Sequence, residues 1–201
     1  MKSAWAAALA ALPITMTAAQ AASVTRSYAY FDVRGNTAAD LDRELREHGP
    51  FLESDKAHHA GASTMRFDTT VKYRNSGGRC SIAKVQVALH VKIILPRWDR
   101  AAPSSDRDLT IVWETLSQDI RRHEEGHVSL AMRNAQRLET DIRRLPPTPG
   151  CEALKAAVAK TTATDLARDD RDQQAYDRAE QSGFKRRFSR LLSHRLKMLG
   201  R

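Results

Sequence analysis

Residues 109–145, LTIVWETLSQDIRRHEEGHVSLAMRNAQRLETDIRRL, decide the fold because their apolar side chains recur every three or four positions. That period is typical of a helix with one buried face. The apolar series comprises Leu109, Val112, Trp113, Leu116, Ile120, Ala131, Leu138, Ile142 and Leu145. We therefore predict one long helix, capped by Ser105 or Asp106 and ended by the proline-rich segment 146–150.

Inside this helix, His123-Glu124-Glu125-Gly126-His127 matches the H-E-x-x-H signature of zinc hydrolases. Residues four apart share a helix face, so both imidazoles can reach one metal ion. An ordinary surface helix is the alternative, but the two histidines continue the apolar series and so lie on the buried face. Glu124 falls where its carboxylate can take a proton from a water whose pKa zinc has lowered. Gly126 costs about 1 kcal/mol in a helix interior and therefore predicts a close approach by another part of the chain.

A second helix is predicted at 151–180, and it should fold back on the first because the connection is short. Both helices rise equally per residue, so equal distances from the turn near Thr148 place His127 level with Asp169. The facing stretch 165–177 is rich in aspartate. A carboxylate from it can supply the third protein ligand that a catalytic zinc site requires.

Four side chains of the second helix are candidates for the site. Asp169 is the first choice as third ligand, and Asp172 and Asp177 are the alternatives; a solvated charged face is the other reading of each aspartate. Tyr176 can donate to the oxyanion that forms when a carbonyl is attacked. A packed core residue is the other interpretation of Tyr176.

Alternating apolar and polar residues precede the long helix. Segments 65–73 and 85–95 alternate around the turn residues 75–78, which predicts a β-hairpin. Residues 27–33 predict a further strand, and 38–48 a helix. The fold class is therefore α+β, in which a small antiparallel sheet, made of the hairpin and the N-terminal strand, packs on the long helical hairpin that carries the zincin-type motif.

The first 21 residues have the features of a secretory signal. Lys2 precedes a mostly apolar run at 4–16, and residues 19–21 form an A-x-A cleavage site. The apolar run is too short to span a bilayer, although a retained anchor is the alternative. We expect an exported protein, secreted or periplasmic in a bacterium, with one domain at 22–183.

The chain has two cysteines, Cys80 and Cys151. An even number in an exported chain predicts a disulfide bond, with two buried free thiols as the alternative. A disulfide closing so long a loop stabilises by roughly 4 kcal/mol on the chain-entropy model.

The net charge of +9 is concentrated in one segment. Residues 184–201 contain seven Lys and Arg residues and no Asp or Glu, so the remainder of the mature chain carries only +1. This distribution argues against nucleic acid as a partner. We expect Gly183 to break the helix and 184–201 to form an amphipathic tail suited to an anionic membrane surface. Docking of its apolar stripe on the domain is the alternative.

The ordered motifs resemble one bacterial family, the domain of unknown function 922, described as predicted secreted zinc-dependent proteases. The motifs are Leu95-Pro96-Arg97-Trp98, the H-E-x-x-H at 123–127, the Pro-Pro-x-Pro-x-Cys turn at 146–151 and Gln173-x-x-Tyr176-Asp177. The resemblance covers nearly all of the mature chain up to about Gly183.

One segment departs from that family's pattern. In the family, Tyr-Asp is followed by Thr-x-His-Gly, whereas Glu180, Gln181, Ser182 and Gly183 stand at these positions here. If the family's histidine is the third ligand, Glu180 or an upstream aspartate must replace it in this chain.

The sequence thus favours an exported zinc-dependent metallopeptidase. His123 and His127 bind zinc, Glu124 is the general base, and the substrate is a peptide or protein. The alternative is a non-catalytic envelope protein with a structural or vestigial metal site and a membrane-binding tail.

Overall fold

The computed structural model describes residues 22–53, 55–99 and 107–200. The predicted signal peptide at 1–21 and the predicted helix cap at Ser105 or Asp106 lie outside these residues. In chain order the elements are β1 (Ser23–Val33), α1 (Ala38–His48), β2 (Phe51–Leu52), β3 (Ala57–His58), β4 (Ala62–Ser76), β5 (Arg79–Trp98), α2 (Arg107–Arg143), β6 (Thr148–Pro149) and α3 (Cys151–Met198).

The α+β class is confirmed, with β5 at the centre of the main sheet. The order is β1-β5-β4, and the short β6 pairs with the start of β5. β4 and β5 form the predicted antiparallel hairpin, closed by Gly77 and Gly78, whose φ angles of 58° and 74° suit a tight hairpin turn.

The direction of the first strand corrects the expectation of a wholly antiparallel sheet. β1 runs parallel to β5, with Ser23 opposite Ala88 and Val33 opposite Trp98. A parallel neighbour needs a long crossover, and the chain between β1 and β5 supplies one through α1, β2, β3 and β4. Alternation along the strand predicts its buried face but contains no information on its direction.

One face of the sheet packs under α2. The alternating residues Val85, Val87, Leu89, Val91, Ile93 and Leu95 are all buried in one cluster with Ile120, Val128, Ala131, Ala135, Leu138 and Ile142 of α2. This packing confirms the predicted helix and explains its 3.6-residue period, because the stripe is the face that covers β5.

The last helix is continuous, so the predicted break at Gly183 is wrong. α3 has 48 residues and passes through Gly183 without interruption. Arg187 Nη1 donates to the carbonyl of Glu180, and Arg187 Nε donates to Asp119 of α2 at 3.0 Å. These contacts on either side of the glycine, together with packing on α2, outweigh the cost of about 1 kcal/mol for an interior glycine.

The connection between α2 and α3 is fixed to the sheet. Cys80 of β5 and Cys151 at the start of α3 form the predicted disulfide. Thr148 pairs with Cys80, and Pro149 with Arg79. Among the residues described, no helix combines the length and apolarity that crossing a membrane requires.

Candidate metal centre

His123 and His127 face α3 from the middle of α2. Their rings are 4.6 Å apart and nearly perpendicular, and the two Nε2 atoms are separated by 3.1 Å. Two imidazole nitrogens this close must have a proton or a cation between them, because two lone pairs would otherwise repel. The helix therefore presents both rings to one point, as their spacing in the sequence predicts.

Asp177 of α3 completes a group of three ligand atoms. Its Oδ1 lies 2.9 Å from His127 Nε2 and 3.3 Å from His123 Nε2. Two zinc–nitrogen bonds of 2.0–2.1 Å at a tetrahedral angle separate their ligand atoms by about 3.3 Å. The three atoms lie at nearly this spacing, and two nitrogens with one oxygen form a donor set that zinc takes in catalytic sites. The residues present therefore fit a zinc ion.

Asp169, the first choice as third ligand, lies elsewhere. It is buried, and its Oδ1 accepts from Asn134 Nδ2 at 2.6 Å and from Gln173 Nε2 at 3.2 Å. The residue level with His127 is Gln173, one helical turn beyond Asp169. The offset arises because the prediction from the sequence assumed that the chain turns symmetrically about Thr148. The connection instead extends to β5 before α3 begins, so α3 is displaced along α2.

Gln173 fixes the orientation of His127. His127 Nδ1 lies 2.7 Å from Gln173 Oε1, while Gln173 Nε2 donates to the His127 carbonyl at 3.3 Å. The amide oxygen accepts the Nδ1 proton, which leaves Nε2 unprotonated and able to bind a metal. Asp169 in turn accepts a hydrogen bond from the amide of Gln173. The residue predicted as a metal ligand therefore orients the side chain that bonds to His127.

Asp177 carries the negative charge of the cluster. Burial alone raises the pKa of Asp177, but its bonds to His123 and His127 outweigh burial and hold that pKa well below the usual range. Burial lowers the pKa of His127, whereas bonds to Asp177 and Gln173 raise it, and the net shift is upward. A carboxylate anion is therefore held against two imidazoles at neutral pH.

Glu124 is buried beside the cluster, with 4% of its surface exposed. Its Oε2 accepts from Ser63 Oγ of β4 at 2.8 Å. Burial raises the pKa of Glu124, and the Ser63 bond and the histidines counteract only part of that shift. A Cβ on Gly61 would lie 2.9 Å from Glu124 Oε1, so Gly61 allows the chain before β4 to approach the carboxylate.

Tyr176 is the group that approaches Gly126. A Cβ at Gly126 would lie 2.0 Å from Tyr176 Oη, which confirms the predicted close approach. The tyrosine ring stacks on His123 at 5.3 Å, and its hydroxyl donates weakly to the His123 carbonyl at 3.4 Å. The hydroxyl thus faces the backbone of α2, where it helps to hold His123, and the oxyanion role of Tyr176 stays a prediction.

Glu180 lies at the edge of the cluster, with Oε2 3.7 Å from His123 Nδ1. Arg122 pairs with this carboxylate, and Arg187 Nη2 lies 3.3 Å from it. Burial opposes but does not cancel these bonds, so the pKa of Glu180 is lowered. Glu180 is therefore an outer partner of His123.

Asp172, the remaining candidate ligand, and four other histidines lie apart from the cluster. Asp172 Oδ2 lies 3.9 Å from Arg137 Nη1 of α2. His48, His58, His59 and His90 pair with Glu44, the Gly49 carbonyl, Asp55 and Asp68 respectively. Among the residues described, the group with metal-ligating geometry consists of His123, His127 and Asp177.

Sequence reasoning missed the roles of two residues at the site. Ser63 holds Glu124, but a serine at the start of a strand has no local signal that distinguishes it. Gln173 lies within the facing stretch 165–177, so the sequence predicted its position opposite α2 but not its bond to His127.

The chain is thus an α+β protein in which two antiparallel helices carry a His-His-Asp cluster. A family model described as "Bacterial protein of unknown function (DUF922)" matches residues 28–183, and the chain belongs to this family. No curated protein matches the chain, and no solved structure does.

Proposed function

We propose that this chain is an exported zinc-dependent metallopeptidase. The observation that carries the proposal is the convergence of His123 Nε2, His127 Nε2 and Asp177 Oδ1 within 4.8 Å of one another. A three-residue ligand set leaves a coordination position for water or substrate, as catalytic zinc sites do. The description of the matching family model, "Bacterial protein of unknown function (DUF922)", names no activity, so the proposal rests on the geometry of the cluster.

A zinc ion bound by these three residues would polarise a carbonyl and lower the pKa of water. In this proposal Glu124 takes the proton of the attacking water, and the proposal is supported by the burial of its carboxylate one residue from His123 and by its bond from Ser63. The raised pKa of Glu124 makes its carboxylate a stronger base toward that water. Gln173 keeps the Nε2 of His127 free for the metal.

The edge strand β4 supports a peptide or protein as substrate. β4 is at the edge of the sheet, and its first residues lie next to the cluster. Ser63 contacts Glu124, and Met65 Sδ lies 3.8 Å from Gln173 Nε2. A peptide added as a further strand along this edge would pass Glu124 with its backbone hydrogen-bonded and its side chains in alternate directions.

Zinc content tests the ligand assignment. We expect the purified protein to bind one zinc ion and the His123→Ala and Asp177→Ala variants to lose it. Asp172→Ala is the matched control, because Asp172 is a half-exposed aspartate of α3 paired only distantly with Arg137. Equal zinc stoichiometry in the wild type and in both ligand variants would refute the site.

Glu124→Gln tests the chemistry separately from the binding. We expect this variant to keep zinc and lose hydrolysis of an unstructured protein such as casein, because the amide has no proton-accepting oxygen of comparable basicity. Hydrolysis at the wild-type rate would exclude Glu124 as general base.

A non-catalytic envelope protein with a structural metal is the second candidate. It is favoured by Ser182, which stands where the family pattern has histidine and donates instead to the Ala179 carbonyl. In a cobalt-substituted sample, a closed four-coordinate spectrum insensitive to added carboxylate ligands would support this candidate over the peptidase.

We also propose that the end of α3 binds an anionic membrane surface. Arg187 and Arg195 are engaged with Asp119 and Glu114 of α2, and Leu192 and Leu196 lie beside Ile111 and Val112. The exposed cations are Lys185, Arg186, Arg190 and Lys197, and Met198 and Leu199 are exposed by 75% and 58%. Such a face suits a surface of anionic lipid.

Changing Lys185, Arg186 and Arg190 to Gln together tests this without cutting the helix. We expect co-sedimentation with vesicles of phosphatidylglycerol and phosphatidylcholine to fall at least tenfold. The control is the same change at Arg66, Lys72 and Lys84 on the sheet. Equal loss in both triple variants, or in neither, would contradict the assignment to α3.

A further inference from the structure

β1 has an open side. The strand pairs with β5 along its whole length, from Ser23 to Val33, and in the described part of the chain no strand pairs with its other side. β1 therefore presents a row of backbone donors and acceptors along 11 residues.

The hydrogen bonds to β5 reveal which residues face outward. The Asp99 amide donates to the Val33 carbonyl at 2.9 Å, so the polar groups of Val33 face β5. Because these groups alternate along a strand without a bulge, the odd-numbered residues of β1 face β5. The even-numbered residues Val24, Arg26, Tyr28, Tyr30 and Asp32 then direct their N–H and C=O groups to the open side.

The open side of β1 has only two charged side chains, Arg26 and Asp32, of opposite sign, as protection against pairing with another chain. Natural edge strands are shortened, interrupted by proline or a bulge, or lined with lysine. β1 contains neither proline nor lysine, and its register with β5 is unbroken. A strand of this kind is expected to have a partner in the assembled protein.

The side chains along this edge are already ordered by α2. Tyr28 Oη donates to Glu125 at 2.6 Å, and the Arg121 guanidinium lies 5.5 Å from the centre of the Tyr28 ring. Arg121 also donates to Tyr30 Oη at 3.3 Å. Tyr28 and Tyr30 are nevertheless exposed by 42% and 50%. Exposed tyrosines held in one orientation lose little entropy when they are covered by a partner.

We propose that β1 pairs antiparallel with β1 of a second copy of this chain, about a twofold axis at Ala29. In this register Arg26 lies opposite Asp32 of the second copy, and Tyr28 lies opposite Tyr30. The twofold axis makes each of these pairs occur twice. All of these are outward-facing residues, so their backbone groups can form hydrogen-bonded pairs. The main sheets of the two copies become one continuous sheet.

Charge selects this register over its neighbours. Centring the pair on Tyr28 would place Arg26 opposite Tyr30, and centring it on Tyr30 would place Arg26 opposite Arg34. Asp32 accepts from Arg97 Nε and Nη2 through Oδ1, and not through Oδ2, while Arg26 contacts Met132 Sδ at 3.1 Å and lies 3.6 Å from Glu125. Both side chains can therefore form the new pair, and oppositely charged cross-strand pairs stabilise a sheet.

A charge swap tests the proposal. We expect light scattering coupled to size exclusion to give a dimer for the purified protein, and a monomer for Arg26→Asp and for Asp32→Arg, which place like charges opposite each other. The double variant should regain the dimer, at least tenfold tighter than either single variant. Lys72→Asp on the opposite edge strand β4 is the control and should remain dimeric. A monomeric wild type at 100 µM, or a double variant no tighter than the singles, would overturn the proposal.

Hydrogen exchange of the backbone amides independently identifies the segment that pairs with the open side of β1. In the dimer the amides of Val24, Arg26, Tyr28, Tyr30 and Asp32 should be protected, and dilution to the monomer should release these five while those of Thr25, Ser27 and Ala29 stay protected. Protection of the even-numbered amides in a monomer would mean that another segment of the same chain covers β1, and would overturn the proposal. The outcome does not depend on whether the metal centre binds zinc.

Discussion

Tyr176 fills the space that a side chain at position 126 would need. A Cβ at Gly126 would lie 2.5 Å from Tyr176 Cζ as well as 2.0 Å from the hydroxyl. Gly126→Ala gains about 1 kcal/mol of helix propensity but overpacks the contact by 1–3 kcal/mol. We expect urea unfolding to show a net loss of up to about 2 kcal/mol.

Gly183 provides the matched control for this prediction. A Cβ there would meet only Arg187 Nη1, at an ordinary 3.5 Å. Gly183→Ala should therefore stabilise by about 1 kcal/mol. Introducing Gly126→Ala into a Tyr176→Ala background should also turn its effect from loss to gain, and an unchanged loss would place the strain elsewhere.

Gln173 gives a second prediction at this scale. Gln173→Leu removes the acceptor for His127 Nδ1, and the imidazole is then free to rotate or to carry its proton on Nε2. Outer partners of this kind are worth 10–100-fold in metal affinity, so we expect zinc affinity to fall by about that factor in a chelator competition. Gln174→Leu, at the exposed neighbouring position, should bind as the wild type does.

Individual residues could be predicted where helix geometry or helix propensity determines their position. The spacing of His123 and His127 follows from helix geometry, and Gly126 follows from helix propensity. The bond from Ser63 to Glu124 connects residues far apart in sequence, and its formation depends on how β4 docks on α2. No pattern around Ser63 contains that information.

At the scale of elements, α2 and α3 are joined by buried charge as well as by apolar packing. Asp119 is 4% exposed and accepts from Arg122 of α2 at 2.8 Å and from Arg187 of α3 at 3.0 Å. Burial alone raises the pKa of Asp119, but both arginines outweigh it and the pKa is lowered.

This shift predicts how stability depends on pH. A carboxyl whose pKa is lower in the folded state stabilises at pH values above its unfolded pKa, near 3.9, and the stabilisation is lost as the pH falls through the folded pKa. We expect Asp119→Asn to reduce the free energy of unfolding by roughly 1.5–3 kcal/mol at pH 7. The difference from the wild type should shrink below about pH 4. Asp42→Asn, which removes an exposed pair with Arg46, should change stability little at either pH.

The type of each long element was predictable from periodicity, whereas its direction and continuity were not. Alternation at 65–73 and 85–95 predicted β4 and β5 correctly because each has one buried face. The parallel direction of β1 and the passage of α3 through Gly183 depend on contacts between elements. The register of α3 on α2 was wrong by one turn for the same reason, since the connection at 144–150 is anchored on β5.

For the whole molecule, the disulfide links the sheet to the helical hairpin. Cys80 and Cys151 are separated by 71 residues, so the bond restricts a large loop in the unfolded chain. Replacing both by alanine should lower the free energy of unfolding by about 4 kcal/mol on the chain-entropy model. A reductant should destabilise the wild type similarly and leave the double variant unchanged. Equal stability of reduced and oxidised wild type would exclude this contribution.

The parallel pairing of β1 also sets an order of events during synthesis. Ser23 lies opposite Ala88 and Val33 opposite Trp98. Each residue of β1 therefore pairs with a residue that is synthesised 65 positions later. At 5–20 residues per second, that interval is about 3–13 s. Of the three long strands described, β1 is synthesised first but is the last able to join the sheet, because its pairing with β5 starts later along the chain than the hairpin does.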